Sequence, residues 1–525
     1  MATRSSQLIS KDEILSQRLH FDVHKVAIIG AGPAGLAAAK YLKNEGAFQT
    51  IDVFEQRDDI GGVWGYTPES SGDHLFSVPQ TDAHLGPEQP VWRTKHPING
   101  QAADRLKQPV FLSPVYDLLE TNIPRCLMGF SDLNFADDIP LFPKHSQVQS
   151  YLQNYAGDIR SLIKFRRQVL DVRPLHGASS DPTLIHAQWR VDSLDLDLGR
   201  NQTSIYDAVI VASGHYSVPY VPDIPGVRAW AERYPGAISH SKYYRRPEEF
   251  MGKRIVVVGS SASGLDIASQ LAAVCQGTLF VAERSHSSLE AGFASNSVIQ
   301  LVPEISKFIP ENQSVLFANG SEAQVDHVLF CTGYLYSMPF LDKLKPPPIS
   351  DGLRVKHTCL HLIYTPAPTL AFLALPQKVI PFPLSEAQAA VLARLYSGRL
   401  SLPSVEELES WEAAHIAQSS NGRSFHRLNF PKDAQYINML YDWAASAEPR
   451  EGLDHGGRGK LPKKWGEKEF WVRERFPAIR KAFLEHRKTF GCSPTSLVEI
   501  GFIFEGDHIA DPSASETRPN DEGAL

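Results

Sequence analysis

Cysteine is scarce and never paired: Cys126, Cys275, Cys331, Cys359 and Cys492 each stand alone, with no C-x-x-C anywhere. That argues against a zinc ribbon or a redox dithiol, and the sparse, odd count fits a reducing compartment. No uninterrupted apolar run reaches membrane-spanning length, because the longest candidate is broken by a glycine turn. The opening Met1-Ala2-Thr3-Arg4-Ser5-Ser6-Gln7 has no apolar core, so no secretory signal is expected. The expectation is a cytoplasmic protein without a transmembrane segment. Excess positive charge is missing as well. A net charge of −7 over 525 residues argues against nucleic acid or an anionic membrane as the main partner. What is present is an ordinary globular composition, 42% apolar and 21% charged. Its length has room for roughly three or four domain-sized units.

Against this background one stretch stands out. Val26-Ala27-Ile28-Ile29 reads as a buried strand, and the Ala-rich run after Gly35 reads as a helix. Between them lies Gly30-Ala31-Gly32-Pro33-Ala34-Gly35, a G-x-G-x-x-G turn. Gly30 permits the tight turn, Gly32 lets a pyrophosphate approach, and Gly35 lets helix and strand pack closely. The helix N-terminus then offers free N–H groups to phosphate. Thr50 to Phe54 reads as the next strand, and Glu55 ends it where a carboxylate takes a ribose hydroxyl. Gly61-Gly62-Val63-Trp64 follows, a glycine pair and a large aromatic placed where a flavin ring could rest.

Residues 1–24 read as a polar lead-in, and Thr67 to Gln108 as a long surface excursion. Tyr116 to Asn122 has helical spacing, broken by Pro124; Asn122 reads on local grounds as a cap or turn residue. His145 to Ala156 predicts a helix, Ser204 to Val211 a buried strand, and Pro219 to Pro225 a linker. A second nucleotide unit follows, with a strand at Arg254 to Val258. Its turn is Gly259-Ser260-Ser261-Ala262-Ser263-Gly264, and its helix runs from Leu265 to Ala273. Ser261 replaces the middle glycine, and serine hydroxyls can donate to phosphate instead. The next strand ends at Glu283-Arg284. Arg284 suits a 2′-phosphate and hence NADPH, whereas Glu283 could take a ribose hydroxyl. Val325 to Tyr334 echoes Asp207 to Gly214, an Asp before an apolar strand that ends in a small-residue turn. The echoes bracket the second unit, as expected for one domain inserted into another. Beyond Glu386 the chain reads as helical packing (Trp411, Tyr436, Trp443, Trp465, Phe470). Lys460 to Arg487 reads as a solvated face, and the tail beyond Asp511 as disordered.

Together these residues resemble the flavin-containing monooxygenases. Tyr234-Pro235-Gly236-Ala237-Ile238-Ser239-His240-Ser241-Lys242-Tyr243-Tyr244 fits the identifying pattern F-x-G-x-x-x-H-x-x-x-(Y/F), with Tyr234 for the usual Phe. The resemblance runs from Lys25 to Gln388, includes Cys331-Thr332-Gly333-Tyr334, and is closest to the soluble fungal members through Pro381 to Gln388. It implies an α/β fold of two Rossmann-like (three-layer) dinucleotide-binding domains, the NADP domain inserted into the FAD domain. The boundaries are 25–218 and 329–510 for the FAD domain and 219–328 for the insert, with a tail at 511–525. It implies FAD at Gly30, Ala31, Gly32, Pro33, Ala34, Gly35, Glu55, Gly62, Val63 and Trp64. NADPH would meet Gly259, Ser261, Ser263, Gly264, Leu265, Asp266 and Arg284. Thr121, Asn122 and Gln377 join the cofactor set, with Asn122 as the catalytic residue between flavin and nicotinamide. No metal is implied. The expected activity is NADPH-dependent monooxygenation of an N- or S-containing small molecule by O2 through a flavin C4a-hydroperoxide. The related Baeyer–Villiger monooxygenases usually have Trp where this chain has Tyr244, which favours heteroatom oxidation. A flavoprotein reductase is the other alternative, and a homodimer is the candidate assembly.

Overall fold

The computed structural model describes residues 18–68, 76–94, 107–175, 184–185, 187–284, 297–419 and 421–507. The chain is organised around two parallel sheets. The larger has seven strands, in the order Thr358–Cys359, Ile363–Tyr364, Leu370–Phe372, Ala208–Val211, Lys25–Ile29, Thr50–Phe54 and Ile163–Lys164. Its first two strands are antiparallel additions at one edge; the rest are parallel. The second has five parallel strands, Ile238–His240, His327–Phe330, Ile255–Val258, Leu279–Glu283 and Ile299–Pro303. Every strand of the second sheet lies in the chain between strands of the first.

The apolar runs explain these layers. Successive strand residues face opposite sides, so a strand apolar throughout must be covered on both. Val26 and Ile28 enter the core that holds the helices, whereas Ala27 and Ile29 pack with Val209, Val211 and Trp189 on the other face. Val256 and Val258 are likewise separated from Ile255 and Val257. Helix Pro33–Glu45 covers the first sheet, and helix Pro381–Tyr396 packs on it, buried all round. The polar side chains of the latter are spent internally. Gln388 accepts from the Ala374 N–H at 2.8 Å, and Glu386 accepts from the Ser131 N–H at 2.7 Å. Arg394 donates to the Arg458 and Lys460 carbonyls.

The echoed aspartates do the same work in each sheet. Asp207 Oδ2 accepts from the His24 and Lys25 N–H groups at 2.9 and 2.8 Å, pinning the start of the first strand. Asp326 Oδ2 accepts from the Arg254 N–H at 2.8 Å, and its two oxygens also hold the Arg254 guanidinium. The crossings between sheets are tied as well. Val218–Pro219 pairs with Tyr334–Leu335, and buried His240 holds the Gly333 carbonyl at 3.0 Å. Lys242 of the same motif donates to the Ser217 carbonyl and to Glu88. The identifying pattern is thus a clasp at the crossing.

Several expectations change. The lead-in is partly core, since Leu19, Phe21 and Val23 are buried and His20–Phe21 pairs with Leu184–Ile185; residues 1–17 lie outside the described residues. The surface excursion is partly strapped down, with Gln80 and Ala83 buried and Gln80 bridged to Val221. Tyr116 to Asn122 is not helical. Its backbone is claimed by tertiary partners instead, Asp117 N–H by Arg245, Thr121 N–H by Pro143 and the Leu119 carbonyl by His145. The only helical turn there is Arg125–Met128, beyond Pro124. Ser204 to Val211 is two strands, Arg200–Tyr206 and Ala208–Val211, parted at the clamp Asp207. The second sheet keeps the chain through Phe330, two residues past the expected boundary. The basic stretch near the C-terminus is not simply solvated: Arg473 meets buried Asp433 at 2.7 Å, and Arg480 and Arg487 both grip Glu120. The tail beyond Asp511 is outside the described residues.

Candidate functional site

At the carboxyl edge of the first sheet the three fingerprint glycines have different reasons to be glycine. Gly30 has φ +106°, and a Cβ there would lie 2.6 Å from the Ala212 carbonyl oxygen. A Cβ on Gly35 would lie 1.8 Å from the Gly30 oxygen, so that site admits nothing larger. Gly32 has neither constraint. Its backbone is extended (φ −74°), and a Cβ would meet only Gly62 Cα, at an ordinary 3.6 Å. The protein leaves room there that its own packing does not need.

The surroundings suit an anion. Gly32 is the N-cap of helix Pro33–Glu45, no side chain caps it, and no acidic residue occupies its first turn. The helix start therefore presents unclaimed N–H groups and its positive end. Pro33, Ala34 and Gly35 form that first turn. Opposite sits the turn Gly62–Trp64, entered through Gly61 (φ +105°) and Gly62 (φ +57°) and tied to Ala31 by the Gly61 N–H. Ser113 Oγ donates to the Val63 carbonyl, while the Val63 and Trp64 side chains remain half-buried. Glu55 is buried at the end of the second strand. Its carboxylate accepts from the Ala31 and Arg57 N–H groups, both at 2.8 Å. Burial pushes its pKa up, against the pull of those two donors. Glycine-lined space between two turns, an uncapped helix start and a carboxylate at the strand end fit the diphosphate and ribose of FAD.

The second sheet repeats this geometry. A Cβ on Gly259 (φ +112°) would lie 2.6 Å from the Cys331 oxygen, and one on Gly264 would lie 1.9 Å from the Gly259 oxygen. Ser261 takes the place of Gly32 with the same extended backbone, φ −87°, as N-cap of helix Ala262–Leu271. It is exposed, and its hydroxyl does not cap the helix; Ser263 beside it is also exposed. The replacement is therefore tolerated by the fold and leaves hydroxyls at the lip. Leu265 is buried behind the turn. Asp266 departs from the lip. Its Oδ2 accepts from Tyr116 Oη at 2.5 Å and Gln270 Nε2 at 3.0 Å, which makes it part of the contact with the first domain. Burial, first of all, raises its pKa. Arg284 follows strand Leu279–Glu283, is 77% exposed, and gives its Nε to Glu304 at 2.8 Å, leaving its terminal nitrogens free of that bond.

Three further expected residues, Thr121, Asn122 and Gln377, lie outside both glycine turns. Thr121 is buried and fixed, its N–H on Pro143 and its Oγ1 on the Ile123 carbonyl. Asn122 next to it is exposed, and its amide makes no hydrogen bond within the described residues. The short helix beyond it is capped at Pro124 with no side-chain bond, so Asn122 is not its cap. The segment is held against the first glycine cradle: the Leu119 carbonyl takes the His145 N–H, and the His145 ring packs on Tyr66 at 4.8 Å. Gln377 lies beyond strand Leu370–Phe372, its backbone paired with His426 and Leu428 and its Nε2 on Tyr336 Oη at 3.2 Å.

Two groups on these edges escaped the sequence reading. His215, directly after Gly214, is buried between Tyr216 and Tyr336 with neither ring nitrogen partnered among the described residues. Burial alone lowers its pKa to about 4, so it is neutral at physiological pH. Arg423 stacks on Tyr220 at 4.1 Å. Position after a small-residue turn was a signal for His215; nothing in the local sequence marks Arg423.

Comparison with known proteins gives consistent matches. A family model described as flavin-binding monooxygenase-like matches residues 111–296 and 292–448, and an NAD(P)-binding Rossmann-like domain matches residues 28–93. The flavin-containing monooxygenase FMO GS-OX4 of Arabidopsis thaliana is 32% identical over 433 residues, covering 79% of this chain and 84% of its own. The structure of S-allyl-L-cysteine S-oxygenase from Allium sativum superposes with a TM-score of 0.68 at 26% identity, covering 94% of this chain and 97% of that one. Tmm from Pelagibacter shares the fold, with a TM-score of 0.65 at 22% identity over 88% of this chain and 91% of its own.

Proposed function

Because the chain belongs to the flavin-binding monooxygenase-like family, with FAD and NADPH as its cofactors, we propose that its substrate is a small molecule oxidised at sulfur. The observation that carries the cofactor geometry is the space at Gly32, unneeded by the fold and facing an uncapped helix start. FAD would be held by Gly30 to Gly35, Glu55 and Gly62 to Trp64, and NADPH by Gly259, Ser261, Ser263, Gly264, Leu265 and Arg284. When bound, FAD would supply the redox chemistry, with NADPH as electron donor and O2 as oxidant, one oxygen atom going to substrate and the other to water. The chain's own part is to orient and to exclude water. Asn122 offers an unspent amide, two donors and one acceptor, beside the first cradle. Buried Tyr116 and Tyr244 and half-buried Asp266 close the seam between the sheets.

Sulfur is favoured over nitrogen by the 26% identity to a cysteine S-oxygenase across nearly the whole chain. The domain reading is an FAD domain of two segments, 25–218 and 329–510, around an NADP(H) insert at 219–328, with the last strand of the insert's sheet reaching Phe330. Assembly as a homodimer and a cytoplasmic location complete the proposal. Among the described residues no helix is long and apolar enough to cross a membrane. A nearer kinship with the soluble fungal members rests on Pro381 to Gln388, whose polar groups serve packing. Product analysis tests the reaction: with NADPH and O2, S-allyl-L-cysteine should yield its sulfoxide, one product per NADPH. An amine oxide from trimethylamine, with no sulfoxide, would move the reading to nitrogen. A lactone from cyclohexanone alone would establish the Baeyer–Villiger alternative.

A further inference from the structure

The carboxyl edge of the second sheet is faced by a segment from far along the chain, residues 421–428. That segment is fixed. Gln377 exchanges backbone bonds with its His426 and Leu428, and Asn421 accepts from Arg354 Nε at 2.8 Å. From it Arg423 extends to lie over the Tyr220 ring, 4.1 Å from its centroid. Tyr220 is itself an anchor at the sheet edge, with its N–H on the Gly333 carbonyl and its carbonyl taking the Thr332 hydroxyl. Those residues directly follow Cys331, the residue that backs Gly259. Arg423 therefore sits at the mouth of the second glycine turn, delivered from the other domain.

Its charge is not balanced there. Arg423 Nη2 is buried without a hydrogen-bond partner among the described residues. No described carboxylate forms an ion pair with Arg423 or with its neighbour Arg427. Burial first, and then the positive fields of Arg284 and Arg427, hold the Arg423 guanidinium below its ordinary pKa. Arg423 thus feels the positive charge of Arg427 on its own segment and of Arg284 on a distant one, with a buried donor of its own unspent. Arrangements of this kind are unfavourable alone and are relieved by an anion with several acceptor oxygens. The strand end at Glu283-Arg284 is where a Rossmann unit meets the 2′ position of the adenosine ribose.

We infer that Arg423, with Arg427 behind it, closes with Arg284 on the 2′-phosphate of NADPH, so that nucleotide selectivity is read from both domains at once. The inference rests on the NADPH reading of Arg284 and extends it to a residue on the facing segment.

The test is calorimetric titration of the FAD-loaded enzyme with adenosine 2′,5′-bisphosphate and with adenosine 5′-diphosphate, without turnover. Arg423→Gln should weaken the 2′-phosphate ligand about ten- to a hundredfold and the other by less than about twofold. Arg423→Lys, which keeps the charge over Tyr220, should recover part of the loss. Equal weakening of both ligands would place Arg423 on the diphosphate and overturn the inference. So would unchanged binding with a lowered melting temperature, the mark of a purely structural stack on Tyr220. Nucleotide binding that is unchanged while KM for a carboxylate-bearing thioether rises would assign Arg423 to substrate, again overturning it. Arg284→Gln in parallel separates the layers: selectivity lost there but kept in Arg423→Gln leaves the Arg284 reading standing and removes this one. If neither matters, both fall. Should Arg423→Gln fail to retain FAD, exposed Arg427→Gln carries the test, with a smaller loss confined to the 2′-phosphate ligand expected and no loss overturning the inference.

Discussion

Alanine at Gly32 and alanine at Gly35 should have opposite consequences, although the two glycines belong to one motif. At Gly35 the added Cβ would sit 1.8 Å from the Gly30 carbonyl oxygen, a backbone atom that cannot swing aside. Overpacking by one methyl group typically costs about 1–3 kcal/mol, and a clash with rigid backbone in the central strand–helix turn belongs at or above the top of that range. Against a total stability of about 5–15 kcal/mol, that variant is at risk of not folding. At Gly32 the added Cβ would touch only Gly62 Cα at 3.6 Å, and the extended backbone there is open to any residue. The apoprotein should then gain about 0.4–1 kcal/mol, because alanine has less unfolded-state freedom to lose. The same methyl group occupies the space into which a diphosphate must come. Gly32→Ala should therefore fold at least as well as wild type and bind FAD poorly, and Gly32→Val should not retain it. The measurements are flavin content from the ratio of flavin to protein absorbance, and thermal unfolding of flavin-stripped samples. Stripping matters, since a ligand at a hundredfold its Kd adds about 2.7 kcal/mol of apparent stability and would mask the comparison. Full flavin occupancy in Gly32→Val would refute the reasoning. Equal destabilisation of the two apo variants would also refute it, by giving Gly32 a folding role.

Asn122→Leu should keep FAD and NADPH oxidation but release H2O2, with product per NADPH falling on the order of a hundredfold; lost flavin content at an unchanged coupling ratio would mark Asn122 as structural. Arg284→Ala should reduce the NADPH over NADH preference about tenfold, the low end for a charge-assisted contact because the side chain is exposed and shared with Glu304; an unchanged preference transfers the ribose to Glu283. Burial pushes the Glu386 carboxyl from 4.5 up to about 7, despite its bonds from Ser131. Its folded pKa lies above the unfolded one, so that contribution is fully present below pH 4.5 and is lost as pH rises through about 7. Glu386→Gln keeps an acceptor for Ser131 and should flatten the fall in melting temperature between about pH 5 and pH 8; an unaltered slope would show that other groups dominate.

The parts of the fold that were legible in sequence are those where a local pattern has one cheap solution. Val26 to Ile29 and Ile255 to Val258 are apolar at every position, and only a strand covered on both faces buries them all. The glycine spacing then fixes the turn at the end of each strand and the start of the helix beyond it. The stretch from Tyr116 to Asn122 was misleading because its helical spacing is real but outcompeted. Its backbone groups find partners on Arg245, Pro143 and His145, segments with no local signature. The same holds for the basic C-terminal stretch. Helix Phe476–Phe490 reads as a charged surface, yet Arg480 and Arg487 are drawn inward by Glu120, a carboxylate some 360 positions earlier. The site divides along the same line. Turn residues such as Gly30, Glu55 and Gly259 are marked by their neighbours in sequence, whereas Arg423 is marked only by the ring it lies on.

The two glycine units match in detail that catalysis does not require: Asp207 and Asp326 each pin the N-terminal end of the strand before a glycine turn, and the Ala212 and Cys331 carbonyls back the first glycine of each. Of the three fingerprint glycines only the middle one differs, Gly32 against Ser261, although both sites have the same extended backbone and neither needs glycine for folding. Among the three glycines the change falls on the one free of internal constraint, so it answers to what approaches from outside. At Gly32 a second glycine turn stands opposite, with Gly62 Cα 3.6 Å from a Cβ placed there, so a diphosphate entering this site is enclosed between two backbones. Ser261 is exposed. A nucleotide there would meet an exposed hydroxyl, with the Arg423 side chain reaching in from the other domain. Backbone on both sides suits a ligand kept through many turnovers, and contact through side chains suits one exchanged at each.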